Sequence, residues 1–257
     1  MDLQLSNKFF IVTGASSGFG RAIAIALTRE NARVLAVARG MEKLNSLASE
    51  YPGIETLSLD ITEPDSPAKL SGQIGSRELS GILINAGGPP AMSFLETGME
   101  DWDEAYRKIL RWKVDLTKTF LPRFEKQRYG RYLFIESVSV KQPVPNLVLS
   151  TSLRLAVTGF VKTFSDEIAH KGITANILAP GYHMTPALER VIRKNSEQRK
   201  ITMEEALQNL IAEVRTGKIG ELEDFASLAT WLLCPRSSYI TGQTISVDGG
   251  SVRGIMG

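Results

Sequence analysis

The sequence predicts an α/β protein on a doubly wound, mostly parallel sheet of seven strands with helices on both faces. Three observations predict it. Short apolar runs alternate with longer amphipathic segments, a glycine-rich turn links the first run to the first helix, and no repeat or low-complexity linker divides the 257 residues. Strands alternating with crossover helices become parallel neighbours, and such sheets are covered on both sides. The length suits one domain, residues 1-257, with a substantial core.

Each strand follows from a run bounded by turn residues. Lys8–Thr13 (KFFIVT) reads as the first, then Arg33–Ala38, Ile54–Ser58, Gly81–Asn85, Arg131–Ser137, Ile173–Leu178 and Thr244–Val247. The first helix is expected from about Gly18 to Glu30, with Asn31 behind it in the left-handed conformation that ends helices. Leu153, Val157, Phe160, Val161 and Phe164 recur at helical spacing and mark a buried face. A charged excursion at about 185–216 breaks the rhythm. In it, Thr202 and Glu205 form a capping box, and Met203, Leu207, Leu210, Ile211 and Val214 form an apolar stripe. It reads either as a packed surface helix or, since it follows Pro180-Gly181, as a mobile cover over a substrate cleft; the cover is preferred.

Composition narrows the function. Thirty Lys plus Arg against 28 Asp plus Glu leave +2, and hydrophobic residues make up 43%, which argues against disorder. No Lys/Arg cluster marks a nucleic-acid footprint, so no nucleic-acid partner is expected. One cysteine, Cys234, and two histidines, His170 and His183, give no convincing metal site and no intrachain disulfide. Met1 to Asn7 lacks a signal-like pattern, and the apolar runs are too short to span a membrane; a reducing cytoplasm is the expected location.

The chemistry begins at Thr13-Gly14-Ala15-Ser16-Ser17-Gly18-Phe19-Gly20, between the first strand and first helix. Glycines there allow a tight turn and a close approach of backbone to a pyrophosphate, which the helix N-terminus favours. This is the pattern of a Rossmann-type dinucleotide site, with Gly14, Ser16, Ser17, Gly18, Phe19 and Gly20 as its contacts. At the end of the second strand Ala38 is followed by Arg39, and no acid opposes a 2′-phosphate; NADP is expected rather than NAD.

With these motifs the chain resembles the short-chain dehydrogenase/reductase family, in its 3-oxoacyl-carrier-protein reductase-like branch, over nearly its whole length. The resemblance implies an adenine contact at Asp60-Ile61 and a cofactor turn at Asn85-Ala86-Gly87, with Ile84 replacing the family's first Asn. It places Pro180-Gly181 and Thr185 against the nicotinamide carboxamide. Tyr239-Ile240-Thr241-Gly242-Gln243 and Val247-Asp248-Gly249-Gly250 match the family's C-terminal signature. Dimers or tetramers are implied, through Asp101–Gln127, Ser150–Lys171 and the C-terminal stretch, with Trp112 and Phe120 as interface or core residues.

The catalytic positions depart from the pattern. The family's serine maps to Ser137, but its tyrosine, lysine and asparagine map to Ser150, Arg154 and Ile109. A serine hydroxyl is shorter and far less acidic than a phenol. Arg154 is expected to keep a bond to the nicotinamide ribose, while Ser150, Thr151 and Ser152 read as helix-capping residues. Glu136 is expected to pair with Arg154 or Lys141, since an unpaired buried carboxylate is costly. The sequence therefore predicts an atypical NADP-dependent oxidoreductase acting on a small carbonyl or alcohol. Ser137 would polarise the oxygen, and Tyr182 or Lys141 would supply the proton. The alternative is a dinucleotide-binding protein without turnover.

Overall fold

Phe9–Thr13 (β1), Arg33–Ala38 (β2) and Ile54–Ser58 (β3) form one half of the sheet in the computed structural model, which describes residues 1–255. Gly81–Ile84 (β4), Gly130–Ile135 (β5), Ile173–Pro180 (β6) and Thr244–Val247 (β7) form the other half. The spatial order is β3-β2-β1-β4-β5-β6-β7, with every pair parallel. The winding reverses between β1 and β4, so their carboxyl ends open the crevice where a ligand sits in such sheets.

Alternation along the strands divides the interior into two layers. Ile11, Leu35, Ile82, Tyr132 and Phe134 face one side; Phe10, Val12, Val34, Leu83 and Leu133 face the other. The first side is covered by helices Ser66–Ile74 (α3), Met99–Ala105 (α4), Trp112–Gln127 (α5) and Val148–Ile168 (α6). The second is covered by Gly18–Arg29 (α1), Met41–Glu50 (α2) and Leu222–Leu233 (α9). The segment between β6 and α9 carries Pro186–Arg199 (α7) and Met203–Ile211 (α8). Their buried Leu188, Ile192, Ala206 and Leu210 form a small cluster apart from both layers.

Most sequence expectations hold to within a residue or two. Asn31 has φ +60°, as a helix-ending residue needs, and the Thr202–Glu205 capping box is formed. Of the two readings of Trp112 and Phe120, the core one holds: they are 2% and 0% exposed against the sheet of their own chain. Ser150, Thr151 and Ser152 do not cap a helix, because α6 already starts at Val148, with Leu147 at the cap position. Ile109 lies in a wide-turn segment, Tyr106–Arg111, that joins α4 to α5. Such π-type turns often mark functional sites.

Candidate active site

The turn after β1 shows why its glycines are needed. A Cβ on Gly14, at φ +65°, would lie 2.7 Å from Asn85 Nδ2 and 2.9 Å from the Asn85 carbonyl oxygen. A Cβ on Gly20 would lie 2.3 Å from the Gly14 carbonyl oxygen. Thr13 ties this turn to the next strand: its hydroxyl donates to the Asn85 carbonyl at 2.8 Å and accepts from the Asn85 N–H at 2.8 Å. The turn is thus clamped to Asn85-Ala86-Gly87 across the switch point. Ser17 stands at the N-cap of α1 without bonding back to it, so the first-turn N–H groups face outward. Backbone carbonyls and the Asn85 amide crowd this turn closely enough that only glycines fit at Gly14 and Gly20.

The opposite wall comes from β6. Thr185 caps α7, accepting from Leu188 N–H at 3.1 Å, and its methyl lies 3.4 Å from where a Gly18 Cβ would stand. Gly181 donates its N–H to Val247 O at 2.9 Å and lies where a Cβ would meet Asp248 at 2.8 Å. Gly14, Asn85, Gly18 and Thr185, assigned separately from sequence, are therefore brought together. Phe19 also serves packing: its ring meets His183 at 5.2 Å and Phe225 at 4.3 Å between centroids. Burial holds the His183 imidazole below its usual pKa.

At the outer end, the Arg39 side chain is 82% exposed and lies 3.7 Å from Asp60. Burial raises the Asp60 pKa, but hydrogen bonds from Thr62 and the charge of Arg39 outweigh it and hold the carboxyl below its usual range. Arg39, Leu59 and Asp60 line one shallow hollow, and Ile61 beside it is buried in the core.

The end of β5 holds a charge cluster that the sequence reading captured only in part. Glu136 continues the sheet through its N–H to Leu178 O, 2.9 Å away, and its side chain is fully buried. One carboxylate oxygen accepts from Lys113 Nζ, and the other from Arg154 at 2.9 Å. Of the expected partners, Arg154 is correct; Lys113, from α5, joins it. Arg154 Nε also donates to Ser150 Oγ at 3.0 Å, and a second guanidinium nitrogen lies 3.2 Å from where a Gly88 Cβ would stand, beside the cofactor turn. The two positions to which the resemblance maps the family's tyrosine and lysine are a serine and an arginine bonded to each other.

Lys113 is the residue the sequence reading missed. It is 3% exposed, and burial lowers its pKa to about 8, while the Glu136 charge pulls it back up. Its signal was its position: Ile109, Lys113, Leu116, Phe120 and Phe124 share the buried stripe of that helix, where a lysine needs a partner.

Ser137 ends the strand extension, and its hydroxyl oxygen accepts from Ser139 N–H at 3.1 Å. The Tyr182 hydroxyl donates to Glu213 at 2.9 Å, and burial with that carboxylate raises its pKa to about 12. Lys141 is exposed on the following loop. Among the described residues, no group of three His, Cys, Asp or Glu side chains could hold a metal ion, and no helix is long and apolar enough to cross a membrane.

A family profile described as enoyl-(acyl carrier protein) reductase matches residues 14–252. The chain belongs to the short-chain dehydrogenase/reductase family. Within it, the chain is 34% identical over 250 residues to dehydrogenase/reductase SDR family member 6 of Aquarana catesbeiana, covering 96% of this chain and 98% of the relative. It is 31% identical to the 3-oxoacyl-[acyl-carrier-protein] reductase FabG of Vibrio cholerae, at the same coverage. Among solved structures, YwfH, an NADPH dependent reductase involved in bacilysin biosynthesis, aligns with TM-score 0.92 at 25% identity, covering 97% of this chain and 100% of that one. A variant of actinorhodin polyketide ketoreductase with NADPH aligns with TM-score 0.89 at 27% identity, covering 96% and 98%. The family places the chain among NAD(P)-dependent oxidoreductases of the short-chain type.

Proposed function

We propose that this protein is an NADP-dependent oxidoreductase that interconverts a small carbonyl and its alcohol without the usual Tyr-Lys pair. The observation that carries this reading is the cradle itself: the turn at Gly14–Gly20, the Asn85 clamp and Thr185 meet at the switch point in the form a dinucleotide needs. Gly14, Ser16, Ser17, Gly18, Phe19 and Gly20 would line the pyrophosphate, with Asp60 and Ile61 at the adenine. Asn85, Ala86, Gly87, Pro180, Gly181 and Thr185 would frame the nicotinamide. When bound, the nicotinamide supplies or accepts the hydride.

Arg39 supports NADP over NAD. Its exposed guanidinium can meet a phosphate bidentately, and its partner Asp60 follows β3 rather than ending β2. YwfH is an NADPH dependent reductase and the ketoreductase structure holds NADPH, which agrees with this choice. The remaining residues divide the work around the substrate. A hydroxyl has one hydrogen to donate, and Ser137 uses its oxygen for Ser139, which leaves that hydrogen for a substrate oxygen. Arg154 would hold the ribose edge through the nitrogen next to Gly88. Tyr182, with its hydroxyl committed to Glu213, fastens the proposed cover and makes a poor acid. Lys141 would reach the substrate from the exposed loop four residues after Ser137. We also expect cytoplasmic homodimers or homotetramers; Leu155, 46% exposed on α6, faces outward where a copy could cover it.

The test is a panel of small ketones and aldehydes with the purified protein and NADPH. NADPH consumption is expected with at least one member. Ser137→Ala should lower kcat/KM by about 10²-fold or more, the typical cost of one oxyanion donor. Tight NADPH binding with silence across a broad panel would overturn the reading.

A further inference from the structure

We propose that the Lys113–Glu136–Arg154 cluster is the proton reservoir of this site, with the labile proton on Lys113 Nζ and Glu136 as the positioning residue. This rests on the oxidoreductase reading above and supplies the acid that reading lacks. Two cations share one fully buried carboxylate, so the cluster carries a surplus positive charge in a place where charge is expensive. Arg154 cannot shed a proton in a protein, and Glu136 has none to give while it accepts from both neighbours. Only Lys113 can release one, and doing so leaves a neutral Glu136–Arg154 pair.

The groups facing Lys113 are few. Glu136 approaches from the end of β5 and Arg154 from α6, and the ring of Trp112 lies 5.8 Å from its nitrogen. The lysine stands one helical turn beyond Ile109, so α5 brings a titrating side chain against Glu136, the residue before Ser137, from a different element than the family's Y-x-x-x-K helix. In the reductive direction the hydride and its electron pair go to the carbonyl carbon, and the carbonyl π pair moves onto oxygen. One N–H bond of Lys113 breaks, its electrons staying on nitrogen. The proton is delivered to the oxygen that Ser137, the residue after Glu136, holds, and an O–H bond forms. The neutral amine then takes a proton back from solvent. Burial sets Lys113 to titrate at about 8, so it is charged and able to donate at neutral pH.

The test reads the proton directly. Protein labelled at lysine Cε and free of cofactor is titrated by NMR, with Lys113→Met assigning the signal. A midpoint near 8 is expected, moving lower in Glu136→Asp, which loosens the contact that raises it. With NADPH and an accepted carbonyl, Lys113→Met should lose about 10²-fold or more in kcat while binding NADPH unchanged, and the wild-type rate should fall above pH 8. Lys113→Arg, which keeps the charge but cannot give a proton, should be equally slow. No lysine signal titrating below pH 10, or full activity in Lys113→Arg, overturns the proposal. Loss of the broader reading is distinguishable, because it would show as no turnover in the unaltered protein or no NADPH binding by fluorescence.

Discussion

Gly14 and Arg39 mark the two ends of the nucleotide cradle, and each sets a different property. At Gly14 the backbone has φ +65° and no room for a Cβ, so Gly14→Ala adds strain and pushes Asn85 away. The expected cost is about 1–3 kcal/mol of stability, with NADPH affinity weakened at least about tenfold. Denaturant unfolding and fluorescence titration measure the two, and unchanged NADPH affinity would contradict the clamp. At Arg39 the side chain is exposed and its pair with Asp60 lies at the surface, so Arg39→Ala should change stability little. Losing charge-assisted bonds to a 2′-phosphate is worth about 1.5–3 kcal/mol, so NADPH should bind about 10- to 100-fold more weakly. NADH should be almost unaffected. Equal losses for both nucleotides would assign Arg39 to the adenine instead.

Helices α7 and α8 are organised by local signals, and these make a prediction of their own. Thr202 accepts from Glu205 N–H at 3.1 Å, while Glu205 accepts from Thr202 N–H at 2.8 Å. Thr202→Ala removes half of that box at an expected cost of about 1 kcal/mol. Because these helices have their own small cluster, the loss should stay local. Amide exchange across Met203–Ile211 should quicken about fivefold with no change in NADPH affinity. A uniform change over the sheet would show that the segment is not separable. Such caps, the glycine turn and the strands were legible in sequence because each depends on residues close along the chain. Ser150 was misread because the start of α6 is set by the preceding loop, and serines suit the first turn as well as the cap. The Glu136 cluster was only half legible. A carboxylate at the end of a buried strand demands a partner, but the partner from α5 sits 23 residues away in sequence and is defined only by how that helix packs.

At the scale of the molecule, the sheet and its two layers hold the charge cluster out of water, so folding and proton binding are coupled. The unfolded chain keeps Lys113 near its ordinary pKa of 10.5, while burial in the folded state lowers it to about 8. Below pH 8 both states hold the proton, and the cost of charging the buried amine is present in full. Between about 8 and 10.5 the unfolded state binds more protons than the folded one, so this contribution to stability rises with pH. The other titrating groups act in the same range, and a difference measurement removes them. Unfolding free energies of the unaltered protein and Lys113→Met, compared at pH 7.5 and pH 10, should differ by a gap that moves in favour of the unaltered protein as pH rises. Parallel pH curves for the two proteins would mean that Lys113 keeps the same proton folded and unfolded. The core would then impose no desolvation on it, and its burial against Glu136 could not tune it for exchange.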